Sequence, residues 1–285
     1  MHVLLAVDGS DYSYEAARAL AHFKRADKLT VLHAMDVPTP MYPTVVPEVA
    51  RDIYQTVERG LQEEGERLLN RITSLLPLNV GPVTKRLEIG KPANLILAAA
   101  EEQVDLIVMG ARGVSQIREL MLGSVSHQVI AHAPCPVLVV RTPMRALRQV
   151  LLTVEGPEDA EPAVRFLATK PFKDPCEITV LTVIPYAHPA WPVGGMIPES
   201  YQKDMKGQAT AFVECVAAQL TAAGHHATGE VILGAPAGDI LQAVTKHTAD
   251  LILMGSKHKG VTRLALGSVS HAVLHKATCP VLVFR

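Results

Sequence analysis

The chain is written twice, and no other feature restricts its fold as strongly. Val3-Leu4-Leu5-Ala6-Val7-Asp8-Gly9 returns as Val150-Leu151-Leu152-Thr153-Val154-Glu155-Gly156. Leu29-Thr30-Val31-Leu32-His33-Ala34 returns as Ile178-Thr179-Val180-Leu181-Thr182-Val183. The segments from Gly90, Asp105 and Cys135 return from Gly234, Asp250 and Cys279, the last pair running to Arg141 and Arg285. The offset drifts only from 144 residues (Gly90 to Gly234) to 149 (Leu29 to Ile178). A period this long is a duplicated domain rather than a solenoid repeat, and 285 residues suffice for two domains of ordinary size. The expected domains are 1–143 and 148–285. The connection between them, about Thr142 to Arg148, is too short for independent tumbling, so the two halves are expected to pair within the chain.

Within each half the apolar periodicity alternates. Runs such as Val3–Val7, Leu29–Ala34 and Leu106–Met109 are apolar on both faces, as the covered strands of a parallel sheet must be. Between them lie amphipathic stretches at helical spacing: Tyr12–Phe23, about Pro47–Leu76, Ala93–Glu102 and Ser124–Ala131. Ser10 is the expected N-cap of the first, and Gly123-Ser124 that of the last. Strand–helix alternation with buried strands implies right-handed crossovers. The fold class is therefore α/β: two doubly wound, parallel-sheet, Rossmann-like domains in tandem. Such sheets bind ligands beyond the carboxyl ends of their strands, where the strand order reverses. That directs attention to Asp8, Ala34 and the residues after Met109.

Charge narrows the function. Lys and Arg number 27 against 28 Asp and Glu, a net charge of −1, which lacks the basic footprint of a nucleic-acid binder. The 48% hydrophobic content excludes a disordered chain. No apolar stretch reaches the ~18 residues of a membrane span, and the apolar start at His2–Val7 lacks the basic leader of a signal peptide. Cys135, Cys176, Cys215 and Cys279 contain neither a C-x-x-C pair nor zinc-ligand spacing. Isolated thiols fit a reducing compartment. A cytoplasmic protein is the expectation.

The most specific local signal follows Met109. Gly110-Ala111-Arg112-Gly113 leaves a strand, and after nine further residues Gly123-Ser124-Val125-Ser126 opens a helix. Glycines let backbone approach a ligand closely or adopt positive φ, and the free N–H groups of a helix start attract anions. The same pattern also describes a glycine turn before a well-capped helix with no ligand, and glycine spacing by itself leaves both readings open. No Walker loop and no G-x-G-x-x-G after the first strand occurs.

The first half resembles the universal stress protein family, whose nucleotide-binding members carry G-x2-G-x9-G-[ST] after the fourth strand. Gly110, Gly113, Gly123 and Ser124 match that motif without a gap. Asp8 at a strand end, the Gly90-x-Pro92 turn and the closing Pro136–Val140 strand match as well, and the resemblance covers essentially the whole chain as a tandem pair. It implies an ATP site, with or without Mg²⁺. Backbone near Ala34 would meet the adenine edge, and Asp8 would lie by the ribose or a metal. Gly113, Gly123, Ser124 and Val125 would hold the phosphates, with Arg112 adding a cation. Ala6, Val7, Met109, Gly110 and Ser126 complete the expected nucleotide-binding set. The implied function is an ATP-binding stress-response regulator signalling through conformation or partner binding, not a metabolic enzyme and with no catalytic residue. The alternatives are a weak ATPase or self-phosphorylating protein, and a nucleotide-free interaction module. The implied partners are an adenine nucleotide, the other domain of the same chain and, as a homodimer, a second copy. Nucleic acid and membrane are not among them.

The second half departs from the motif. Four residues, not two, separate Gly255 from Gly260, and six, not nine, separate Gly260 from Gly267. Three residues of helical rise amount to ~4.5 Å, enough to misplace a phosphate cradle. Glu155 replaces Asp8, adding a methylene, while Gly267-Ser268 keeps the helix start and Lys257, Lys259 and Arg263 supply positive charge. Glu155, Val183, Gly255, Gly260, Gly267 and Ser268 form the expected second site, altered, weakened or vacant.

Other residue types carry weaker signals. His271 and His275 share a helix face and His225-His226 are expected in a loop; both pairs read as surface or interface histidines rather than metal ligands. His127 and His271 are repeat equivalents expected to serve helix packing. Cys135 and Cys279 are expected as apolar fillers before the last strands rather than redox sensors. The proline-rich segments Asp36–Pro47 and Pro185–Pro198 leave strands beside the pocket and are expected as lids, the second offering Tyr186, Trp191 and Met196 to an apolar ligand or partner.

Overall fold

A computed structural model of the protein describes residues 1–36, 47–78, 80–113, 122–185, 199–256 and 266–285. Both proline-rich segments lie almost wholly outside these residues. The chain divides into two units, Met1–Ala21 with Arg25–Arg141, and His22–Lys24 with Thr142–Arg285.

In the first unit the elements run β1 (His2–Val7), α1 (Asp11–Ala19), β2 (Lys28–Met35), α2 (Pro47–Leu75), β3 (Val83–Ile89), α3 (Pro92–Ala100), β4 (Leu106–Gly110), α4 (Ser124–His132) and β5 (Val137–Val140). Their strand order is β3-β2-β1-β4-β5, every pairing parallel. The second unit repeats the plan with β6 (Gln149–Thr153), α5 (Pro157–Ala168), β7 (Glu177–Pro185), α6 (Glu199–Ala222), β8 (His226–Gly234), α7 (Pro236–Lys246), β9 (Leu251–Gly255), α8 (Ser268–Lys276) and β10 (Val281–Phe284). Its order is β8-β7-β6-β9-β10, again parallel throughout. The doubly wound α/β fold expected from the repeats is present in both units.

Central strands carry the core. Leu4, Leu5, Ile107, Val108 and Leu138 are buried in one unit, and Leu151, Leu152, Ile252, Leu253 and Leu282 at the matching places in the other. Each such side chain contributes ~1.5–3 kcal/mol by leaving water. The outer strands β3 and β8 are different. β3 reads Val-Thr-Lys-Arg-Leu-Glu-Ile and has no fully buried residue, so its sequence offers no apolar run.

Both outer strands are tied to a helix end by an ion pair of opposite polarity. Arg86 on β3 donates to Glu102, just past α3, at 2.7 Å. At the equivalent positions, Glu230 on β8 accepts from Lys246 on α7 at 2.5 Å and from His247 at 2.6 Å. The charges are exchanged between the repeats.

Helix limits follow their caps. Ser10 caps α1 by accepting from the Ser13 N–H, as expected, but the α-helix ends at Ala19 and closes in a 3₁₀ turn over Leu20–His22 rather than running to Phe23. Ser124 is not a cap. Gly123 holds the N-cap position of α4 with no side-chain hydrogen bond, and Ser124 is the first helical residue. His226 belongs to β8 rather than to a loop, and the His225 imidazole bonds the Leu167 carbonyl at 2.8 Å. Among the described residues no helix is long and apolar enough to cross a membrane.

Candidate functional site

In the first unit the chain leaves β1 towards β2 on one side while β4 pairs with its other side, so the strand order reverses between β1 and β4. Beyond their carboxyl ends lies a cavity of about 150 Å³. Every residue of the expected first nucleotide-binding set lines it. Ala6, Val7, Ala34 and Met109 give it apolar walls, joined by Leu32, Pro92 and Ile96. Asp8, Gly110, Arg112, Gly113, Gly123, Ser124, Val125 and Ser126 make the other end polar. Leu32 shares a strand face with Ala34, and Ile96 stands four residues beyond Pro92 on α3. Those two periodicities were the available signals for Leu32 and Ile96, which the expected set left out; Pro92 was noted only for its turn.

Ser10 organises the polar end. Its N–H and hydroxyl both donate to Asp8 Oδ1, at 3.0 and 2.6 Å, and the hydroxyl lies 3.1 Å from the Arg112 carbonyl. One serine thus links the exit of β1 to the loop after β4. The second Asp8 oxygen faces Gly113, where a Cβ would come within 2.5 Å of it. At Gly110 a Cβ would stand 2.7 Å from that of Tyr12 and 2.9 Å from its carbonyl carbon. Close approach, not positive φ, is what requires these two glycines, since neither is among the positive-φ residues.

The start of α4 is held from behind. The buried Ser126 hydroxyl lies 3.0 Å from the Gly110 carbonyl and 3.2 Å from that of Ala111, donating into this pair, and the Gly123 N–H donates to Ala111 at 2.9 Å. Ser126 therefore braces the loop, while the Ser124 side chain is exposed at the cavity edge. With no side-chain cap, the opening N–H groups of α4 remain a positive helix end beside the cavity.

A histidine supports the opposite wall. His33 Nδ1 lies 2.8 Å from the Val7 carbonyl. A carbonyl only accepts, so Nδ1 carries the proton. In the second unit Thr182 takes this place, its hydroxyl donating to the Val154 carbonyl at 2.7 Å. Nothing in the sequence marked either residue, because the contact depends on strand pairing.

The second unit has a corresponding cavity of about 120 Å³. Glu155, Val183, Gly255 and Gly267 line it; Ser268 opens α8 without lining it. Gly260, with Lys257, Lys259 and Arg263, lies outside the described residues. Leu181, Pro236, Ile240, Met254 and Val269 repeat the apolar wall, and Asp159 joins Glu155 at the polar end.

Elsewhere the titratable groups have structural surroundings. Burial raises the thiols of Cys135 and Cys279 to about 12 and that of Cys176 to about 11, the reverse of what a reactive thiolate needs. The His271 and His275 rings lie 4.2 Å apart between centroids, tilted by 40°. Among the described residues no group of three or more His, Cys, Asp or Glu could hold a metal ion.

Comparison with known proteins gives a consistent relationship. The family model of the Universal stress protein family matches residues 1–141 and again 146–285. A universal stress protein of Thermus aquaticus, from the QAH/OAS sulfhydrylase 3′ region, is 39% identical over 145 residues, which is 49% of this chain and 97% of that protein. Universal stress protein YxiE of Bacillus subtilis is 35% identical over 49% of this chain and 97% of its own length. The crystal structure of a universal stress protein from Archaeoglobus fulgidus aligns with all of this chain and 98% of its own, with a TM-score of 0.65 at 20% identity. Another protein of that organism, solved in complex with dAMP, aligns with 49% of this chain and 98% of its own at 19% identity and a TM-score of 0.33.

Proposed function

This chain belongs to the universal stress protein family, with two copies of the family domain, and on that premise we propose that its first unit binds ATP and serves as a nucleotide-dependent stress regulator. The observation that carries the reading is the division of the first cavity. An apolar wall of Ala6, Leu32, Ala34, Pro92, Ile96 and Met109 shares the cavity with a strand-end carboxylate, an arginine and an uncapped helix start. A flat heterocycle suits that wall, since its edge can bond to strand-end backbone and its faces need apolar cover. A polyphosphate suits the helix start, where N–H groups and the helix dipole favour negative charge. Gly113, lacking a Cβ, lets its backbone lie directly against the Asp8 carboxylate, which keeps loop and carboxylate together at the polar end.

In this reading Gly113, Gly123, Ser124 and Val125 hold the phosphates, and Arg112 adds charge. Asp8 Oδ1 is engaged by Ser10, which leaves Oδ2 for the ribose or for a Mg²⁺ carried by the nucleotide. The output is then a change of surface rather than a chemical product.

Calorimetric titration of ATP·Mg into the full chain tests this. We expect saturable binding by wild type and a loss of about tenfold in Ser124→Ala, the size of one hydrogen bond to a charged group. No binding by wild type sinks the proposal. Nucleotide turnover in the same samples is expected to stay at the buffer rate, and turnover above it would move the reading to a weak ATPase.

A further inference from the structure

The two units differ at the position on the first helix that packs against the end of the fourth strand of each: Asp159 lines the second cavity there, and Tyr12 stands behind the lining of the first. In the first unit Tyr12 packs against Gly110 at the end of β4. Its ring carries the Arg112 guanidinium, 5.8 Å from carbon to ring centroid. Gly110 pairs with Val140 at the end of β5, so the next residue, Arg141, comes alongside the same loop. Burial and the nearby Arg112 charge both disfavour the Arg141 cation, which places the two guanidinium groups in one electrostatic neighbourhood. A neutral aromatic ring with two arginines about it, set against the single carboxylate of Asp8, leaves this corner with an excess of positive charge.

In the second unit Asp159 occupies the position of Tyr12. It packs against Gly255, the counterpart of Gly110, and one carboxylate oxygen accepts from the Glu155 N–H at 3.3 Å. Asp159 lines the main cavity together with Glu155, and it also lines the adjoining cleft with Arg285, the counterpart of Arg141. Among the described residues lining that main cavity there are two carboxylates and no cation, whereas the first has Asp8 and Arg112. Most of the apolar lining is meanwhile kept, with larger residues at two places, Val183 for Ala34 and Thr153 for Ala6.

We propose that the residue at this position, Tyr12 or Asp159, decides whether each cavity tolerates phosphates: the first takes the nucleoside triphosphate, the second the same kind of nucleoside without phosphates. A carboxylate at that corner repels a phosphate tail and offsets the strand-end arginine. An uncharged ribose and base meet no such barrier. The inference rests on the adenine-nucleotide reading of the first unit. It concerns what separates the two sites.

The test is a titration of ATP·Mg and of adenosine into four versions of the full chain: wild type, Tyr12→Phe, Tyr12→Asp and Asp159→Asn. Wild type is expected to bind one ATP and two adenosines. Tyr12→Phe, which keeps the ring, should bind ATP within about threefold of wild type, whereas Tyr12→Asp should lose about tenfold or more for ATP and less than about threefold for adenosine. Aspartate is acceptable in the first turn of a helix, so this variant should fold, as its unfolding midpoint will show. Asp159→Asn keeps shape and acceptor and should add a second ATP per chain.

Two ATP per wild-type chain, which the basic residues of 257–263 would produce, overturns the inference. So does a single adenosine per chain, or an equal loss of both ligands in Tyr12→Asp. If wild type binds neither ligand, the adenine reading itself fails. If wild type binds one ATP and Tyr12→Asp binds it unchanged, only the inference does.

Discussion

At Gly113 a single methyl group would meet Asp8 Oδ2 at 2.5 Å. Gly113→Ala should therefore lower ATP affinity by about tenfold, since either the carboxylate or the loop must move, and cost about 1 kcal/mol of stability. Calorimetry and a denaturant titration of the same protein separate the two effects. Ser126 predicts the opposite balance. Its hydroxyl is buried against the Gly110 and Ala111 carbonyls, so Ser126→Ala should destabilise the first unit by about 1–2 kcal/mol in urea unfolding. The sequence placed Ser126 in the site because it follows Ser124, and it does line the cavity, but its hydroxyl is turned to the loop behind it. Spacing identifies which residues reach a site and does not assign their hydrogen bonds. Tyr12 and His33 were illegible for a related reason: one acts through a glycine nearly a hundred positions away, the other through a carbonyl on a neighbouring strand.

Among the elements, legibility followed burial. β1, β4 and their counterparts announce themselves as apolar runs because both faces are covered. β3 and β8 stayed hidden because an outer strand carries polar residues, and the residues that hid them make the exchanged ion pairs. Glu230 provides a pH test. Burial raises its pKa, but the hydrogen bonds and charges of Lys246 and His247 outweigh that and leave it below the ordinary carboxylate value. A carboxyl lowered in the folded state adds stability above its unfolded pKa and loses it as the pH falls through the folded one. Wild type should thus lose about 1 kcal/mol more than Glu230→Gln between neutral and strongly acidic pH, measured by urea unfolding. Exchanging both charges, Glu230→Arg with Lys246→Glu, should recover most of what Glu230→Arg alone loses. Recovery of nothing would mean that the pair contributes nothing.

Across the whole molecule the repeats share one plan and differ in their ligand corners. Saturating ATP should slow amide hydrogen exchange at the β1–α1 junction, the end of β4 and the start of α4, and leave the equivalents around Glu155, Gly255 and Gly267 unchanged. At a hundred times its Kd, ATP should stabilise the first unit by about 2.7 kcal/mol. Protection at both sets of segments would contradict a division of labour between the units. The exchanged ion pairs have a consequence for how such a chain reaches its native state. Two similar domains made in succession can mistake each other's segments while folding. A β3 strand that took α7 would set Arg86 against Lys246, and a β8 strand that took α3 would set Glu230 against Glu102. Only the correct assignment pairs opposite charges, so a half that took the other's helix would lose its ion pair and gain a like-charge contact in its place.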